Sequence, residues 1–179
     1  MAIQTQHPLI ESILSDWREG IGNDFAGYRG HVYRMYNYCL ALHPASDEEK
    51  TKLAIAACFH DIGLWSDHTV DYLAPSVVQA EKYLTETGRE AWSEEISLMI
   101  EWHHKVRPYR DQQFPLVEVF RRGDLVDFSL GFFKCGLPKS LVKEVKAAIP
   151  NAGFHRFLMK GAKDWFTKQP LSPPPIIRW

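Results

Sequence analysis

Apolar residues recur along this chain at helical spacing, and strand-like alternation is scarce. Pro8 opens a first amphipathic stretch with Leu9, Ile10, Ile13, Leu14 and Trp17 on its inner side, and Gly20 and Gly22 close it. Asn23 or Asp24 is placed to cap a second helix. That helix repeats Phe25, Tyr28, Val32, Met35, Cys39 and Leu42 along one stripe until Pro44 stops it. Ser46 and Glu49 form the two ends of a capping box. The helix it opens carries Leu53, Ala54, Ala56 and Ala57 to His60, with Gly63 placed as its C-terminal cap. A loop over residues 64–74 leads to a fourth helix, from near Pro75 to Gly88. Ser93 starts a fifth, in which Ile96, Met99, Ile100 and His103 share a face. After a polar loop, Pro115 opens a sixth with Val117, Phe120, Asp124 and Phe128 aligned. Pro138 and Ser140 open a seventh to Ile149, and a last helix from Phe154 to Thr167 carries Phe157, Leu158, Trp165 and Phe166. The Pro-rich end, residues 170–179, is expected to lie extended. No repeat or linker divides the chain, so the pattern predicts one all-α domain over residues 1–179.

Several polar side chains break these apolar faces. His31 lies within the stripe of the second helix, and His60 with Asp61 ends the apolar run of the third. His103 and His104 flank the inner edge of the fifth, and Asp124 sits on the inner face of the sixth. A buried ionisable group costs free energy unless it is paired or binds a metal. One such histidine is usually a satisfied core residue. A set on successive helices can converge on one point, as in metal sites within bundles.

The order of these residues resembles the HD-domain metal-dependent phosphohydrolases, a family with a first His, an adjacent His-Asp pair and a distant Asp on helices. The matching residues are His31 in Gly30-His31-Val32-Tyr33-Arg34, His60-Asp61 in Phe59-His60-Asp61-Ile62-Gly63, and Asp124 in Gly123-Asp124-Leu125-Val126-Asp127. The likeness covers roughly residues 24–130, and the C-terminal part, 137–179, carries no family signal. It implies a compact HD-like bundle of about seven to eight helices. It also implies that His31, His60, Asp61 and Asp124 bind one divalent metal. Two imidazoles and two carboxylates suit Mn, Fe, Co, Ni or Zn, and a metal so held acidifies water and polarises a phosphoryl oxygen. Asp61 has a second candidate role, holding the attacking water. For Asp124 the plainer alternative is an ion pair with Arg121 or Arg122, and Asp127 is the alternative ligand.

The expected function is therefore a metal-dependent hydrolase of a small phosphate ester or nucleotide. His103, His104 or His68 is the candidate general acid, with ordinary packing or solvation as the alternative for each. Arg34, Lys105 and Arg107 are the candidate phosphate grip, and Arg110 reads as solvated. Trp65, Tyr72, Trp102 and Tyr109 could stack on a base or belong to the core. Two rivals remain: a di-iron oxygenase or non-phosphate hydratase of the same fold, and a nucleotide-binding module without turnover. A dinuclear centre in this family needs a histidine early in the helix after the His-Asp pair. Here that helix begins Ala74-Pro75-Ser76-Val77-Val78, so a single metal is expected.

Composition narrows the partners. Lys plus Arg (21) nearly balances Asp plus Glu (22), a net charge of −1, which argues against a nucleic-acid binder built on a basic field. Cys39, Cys58 and Cys135 are scattered and odd in number, which fits reduced thiols in a cytoplasmic protein rather than a disulfide framework. Neither a signal peptide nor a membrane-spanning run is expected. The sequence leaves a homodimer open.

Overall fold

Local signals set most helix ends in the structure, a computed structural model that describes residues 2–168. The Pro-rich end lies outside the described residues. Helix α1 (Pro8–Ile21) begins on its proline, and Gly22, at φ 61°, ends it. A 3-10 turn, Gly22–Asp24, joins it to α2 (Phe25–Leu42). The expected cap of α2 does not form: Asn23 and Asp24 are taken up in that turn, and Asp24 makes no side-chain cap bond. The capping box of α3 (Asp47–Phe59) is complete, with the Glu49 amide donating to Ser46 Oγ (3.3 Å) and the Ser46 amide to Glu49 Oε2 (2.7 Å). A four-residue helix, α4 (Gly63–Ser66), occupies the start of the predicted loop. Then come α5 (Leu73–Glu86), α6 (Ser93–Trp102), α7 (Pro115–Phe128), α8 (Lys139–Ala148) and α9 (Phe154–Lys168). The described residues contain no strand, and the fold is an all-α bundle, as the periodicity predicts.

Helix α2 is the centre of the bundle. It lies along α7, packs on α3, and meets α8 and α9 on its remaining side. Helix α6 is wedged between α5 and α7. The alanines of α3, Ala54, Ala56 and Ala57, are fully buried, so α3 approaches its neighbours closely.

Two glycines bring the functional elements together. Gly123 is where α7 crosses α2: a Cβ there would overlap Cys39 Sγ and lie 3.2 Å from the Met35 carbonyl oxygen. This contact sets Asp124 and Asp127 against His31 and Arg34. Helix propensity alone would make Gly123→Ala stabilising by about 1 kcal/mol. Because the short, buried Cys39 side chain occupies the space and the α2 backbone lies close behind it, the expected result is a loss of roughly 1–3 kcal/mol, read as a lowered urea midpoint. A raised midpoint would contradict the close crossing.

Gly63 is not the C-terminal cap that its position suggested. Its φ is negative, and α3 passes through His60 into a turn with helical dihedrals. Instead Gly63 makes room. A Cβ there would overlap the Tyr72 carbonyl and reach 2.9 Å from Pro75 Cβ, while its own amide donates to Ser76 Oγ (2.9 Å). The His60-Asp61 turn is thereby clamped to the start of α5.

Candidate metal centre

Helix α2 carries His31 inward, the turn after α3 presents His60 and Asp61, and α7 adds Asp124. All four are at most 3% exposed. His31 Nε2 and His60 Nε2 lie 2.9 Å apart. Asp61 Oδ2 is 3.2 Å from His60 Nε2 and 3.7 Å from His31 Nε2, and Asp124 Oδ1 is 3.4 and 4.0 Å from His31 and His60.

The outer ring nitrogens show what this cluster is built for. His31 Nδ1 donates to Asp127 Oδ2 (2.7 Å) and His60 Nδ1 to the Ala57 carbonyl (2.9 Å). His103 Nδ1 likewise donates to the Ile100 carbonyl (2.6 Å). In each neutral ring the proton then sits on Nδ1, leaving the Nε2 lone pair aimed at the centre. Facing lone pairs beside two carboxylates suit a cation between them, a metal ion or, without one, a proton on His31. Asp61 Oδ1 is buried without a hydrogen-bond partner, as a spare ligand oxygen would be. His31, His60 and Asp61 can thus hold a divalent ion, and Asp124 Oδ1 stands beside them, 3.4 Å from His31 Nε2.

Asp127 is not at this point of convergence. It takes Arg34 Nε (2.6 Å) and Nη2 (2.8 Å) on its two oxygens while orienting His31 from behind. The Phe154 ring stacks on His31 at 4.1 Å and 13°, and Phe120 meets His60 edge-on.

A second group adjoins the first. His103 Nε2 lies 3.4 Å from Asp61 Oδ1, and His104 Nδ1 lies 3.6 Å from Asp124 Oδ2. Asp61, His103 and His104 bring ligand atoms within 4.8 Å of one another. The Tyr72 hydroxyl reaches His104 Nε2 at 2.6 Å and His103 Nε2 at 3.4 Å.

The electrostatics favour positive charge at the centre. Burial alone would lower the pKa of His31, but the Asp124 and Asp127 carboxylates reverse this and push it up to about 9. Burial would raise Asp124, yet the His31 hydrogen bond and the neighbouring imidazoles bring it to about 2. His104 goes the other way: burial and the charge of His103 take it down to about 3.

The metal-free protein should therefore be most stable near pH 6.5. The His31 pKa is raised on folding, so its stabilisation is complete below about 6.5 and is lost as pH rises towards 9, on the order of 3 kcal/mol. His104 has a depressed folded pKa, and as a base held neutral it destabilises the fold as pH falls below about 6.5. Thermal melts in chelator should fall on both sides of this pH, whereas a bound divalent ion should abolish the alkaline loss. A flat alkaline limb in chelator would contradict the buried His31 pair.

His31, Asp61, Asp124 and His104 form the floor of a cavity of about 650 Å3, roofed by α9. Tyr72 borders it, and His68 stands at its exposed rim with φ 51°. His60 and His103 lie behind the floor. The three cations read as a phosphate grip are not brought here. Arg34 is 2% exposed, bound to Asp127 and, through Nη1, to the Pro150 carbonyl (2.9 Å). Arg107 and Arg110 are exposed on the 106–114 loop away from the cavity, and Lys105 also lies off it, its carbonyl taken by Arg121 Nη1 (3.0 Å). Arg121 pairs with Glu118 rather than Asp124. Trp102 and Tyr109 pack edge-on against each other, off the cavity. The sequence reading assigned no roles to the Tyr72 hydroxyl or to the roof residues Phe154 and Phe157. The aromatic spacing of α9 was the one available signal for the roof.

A family model, described as the HD domain, matches residues 28–128, a span that contains all four converging residues and ends where α7 ends. No curated protein and no solved structure matches the chain.

Proposed function

Because the chain belongs to the HD-domain family, we propose that it is a metal-dependent hydrolase acting on a small phosphate ester. The observation that carries this reading is the convergence of His31, His60 and Asp61, with Asp124 Oδ1 within 4.0 Å of both imidazoles and the spare oxygen of Asp61 beside them. In this reading those four residues hold the ion, which when bound supplies Lewis acidity towards water and an ester oxygen. Asp61 Oδ1 accepts a hydrogen bond from the attacking water and orients it. Tyr72 and His104 border the cavity in hydrogen-bond contact; the Tyr72 hydroxyl, oriented by His104, gives its proton to the leaving oxygen as the P–O bond breaks and regains one from the water that has attacked. Burial and nearby Asp61 hold the Tyr72 pKa well above its usual value, which keeps its proton in place until it is needed. His68 is in reach of bulk water at the rim and is assigned no step.

One observation favours a second reading. The Asp61, His103 and His104 group resembles half of a dinuclear centre, as an oxygen-activating relative would need. It provides only three side chains, one of them already engaged in the first site, so a second ion is expected to bind weakly.

Both readings are tested together. Metal analysis of the purified protein is followed by a phosphomonoester screen with Mn, Fe, Co, Ni and Zn, in air and without it. A single tightly bound metal with turnover undiminished by removing dioxygen is expected. Two equivalents of iron, with oxygen-dependent consumption of a substrate lacking phosphate, would replace the hydrolase reading with the oxidative one.

A further inference from the structure

The cavity above the metal-binding floor has two chemically different ends. At the floor are His31, Asp61, Asp124 and His104. The walls and roof are apolar, built by Leu64, Trp65, Phe154, Phe157, Leu158 and Trp165. Trp65 and Phe157 stack at 5.3 Å and 16°, forming one flat wall. Among the described residues, neither lysine nor arginine lines the cavity.

This pairing restricts the substrate. A nucleoside di- or triphosphate would bring several negative charges into a space where, beyond the metal-binding floor, no lysine or arginine pairs with them, and burying unpaired charge is costly. A ribose and base would press hydroxyls and ring edges against walls that offer them few partners, leaving buried polar groups unsatisfied. An alkyl or aryl group meets neither penalty and gains by leaving water. The volume is that of a pocket for one small organic molecule.

We propose that the substrate is a monoester with an apolar body, its single ester group on the floor and an alkyl or aryl chain under α9. The proposal rests on the hydrolase reading for the identity of the head group, and on the cavity walls alone for the body. It departs from the expectation of a nucleotide: in this proposal the aromatics at the site contact an apolar body rather than a base held by its edges.

The test uses a series of non-hydrolysable n-alkylphosphonates, methyl to hexyl, bound to the full chain loaded with Mn2+ and measured by calorimetry. The matching alkyl phosphates are assayed for turnover in parallel. Affinity is expected to rise with chain length by up to about fourfold per methylene, the factor that a buried CH2 supplies. AMP and ATP are expected to bind no tighter than methylphosphonate. Phe157→Asp places a charge in the apolar wall and should flatten the slope. Phe157 is half-buried on α9, and a thermal melt shows whether the variant is folded. Affinity independent of chain length, or ATP binding more tightly than hexylphosphonate, would overturn the proposal even if short esters are hydrolysed. A persisting slope with no turnover of any ester would support the apolar-body site and count against the hydrolase reading instead.

Discussion

Asp61→Asn is expected to empty the metal centre while leaving the fold in place. The amide is nearly isosteric with the carboxylate, so no cavity opens and the helices lose no packing. What disappears is a negative charge 3.2 Å from His60 Nε2 and 3.4 Å from His103 Nε2. Residues that only orient a ligand cost about 10–100-fold in metal affinity when removed, so loss of a ligand itself should cost at least about 100-fold. His60→Ala should lose metal alike, with a lowered melting temperature besides, since His60 is fully buried and its removal opens a cavity. Asp127→Asn, which touches only the outer nitrogen of His31, should fall within the smaller range. Metal content by mass spectrometry and activity on a phosphomonoester should drop together, with helix content unchanged by circular dichroism. Full metal occupancy in both Asp61→Asn and His60→Ala would remove these residues from the site.

The difference between what was legible in the sequence and what was not follows the range of the interaction. Pro8, Pro115 and the Ser46–Glu49 box act within one turn of helix, so their signals are complete in a few residues. His31, His60, Asp61 and Asp124 stood out because each places a polar group on an otherwise apolar face. Burial makes that pattern readable without knowing the partner. Gly63 was misread because the groups that crowd it, Tyr72 and Pro75, belong to the next helix. A glycine at a helix end carries the same letter whether it turns the chain or admits a neighbour. Arg107 and Lys105 follow the His103-His104 pair closely in sequence, but the chain leaves the site after α6 and carries them away. The roof of the cavity was hidden for another reason. An aromatic stripe on α9 has the same spacing whether it fills a core or lines a pocket, and only the packing of α9 onto α2 and α4 side chains decides between them.

Arg34→Ala distinguishes a substrate-gripping arginine from a structural one, and the expected effect is on stability. Arg34 is among the largest fully buried side chains of the protein, and three of its donors are engaged within the fold. Its guanidinium holds Asp127 in a two-pronged pair at 2.6 and 2.8 Å, and Asp127 in turn holds His31 Nδ1 at 2.7 Å. With metal bound and His31 neutral, removing the arginine leaves a buried carboxylate facing only an imidazole. Breaking one side of a buried ion pair costs roughly 3–5 kcal/mol, because the remaining charge is stranded. In a domain of this size that corresponds to a melting temperature lower by about 10 °C. The released Asp127 no longer fixes the tautomer and angle of His31, so metal affinity should weaken by about 10–100-fold as well. A double variant, Arg34→Ala with Asp127→Ala, strands no charge and should recover part of the lost stability, although it makes the larger hole. A substrate grip would give the opposite pattern: wild-type melting and metal content, with a raised KM alone. That outcome for Arg34→Ala would show that the arginine leaves Asp127 and reaches the substrate.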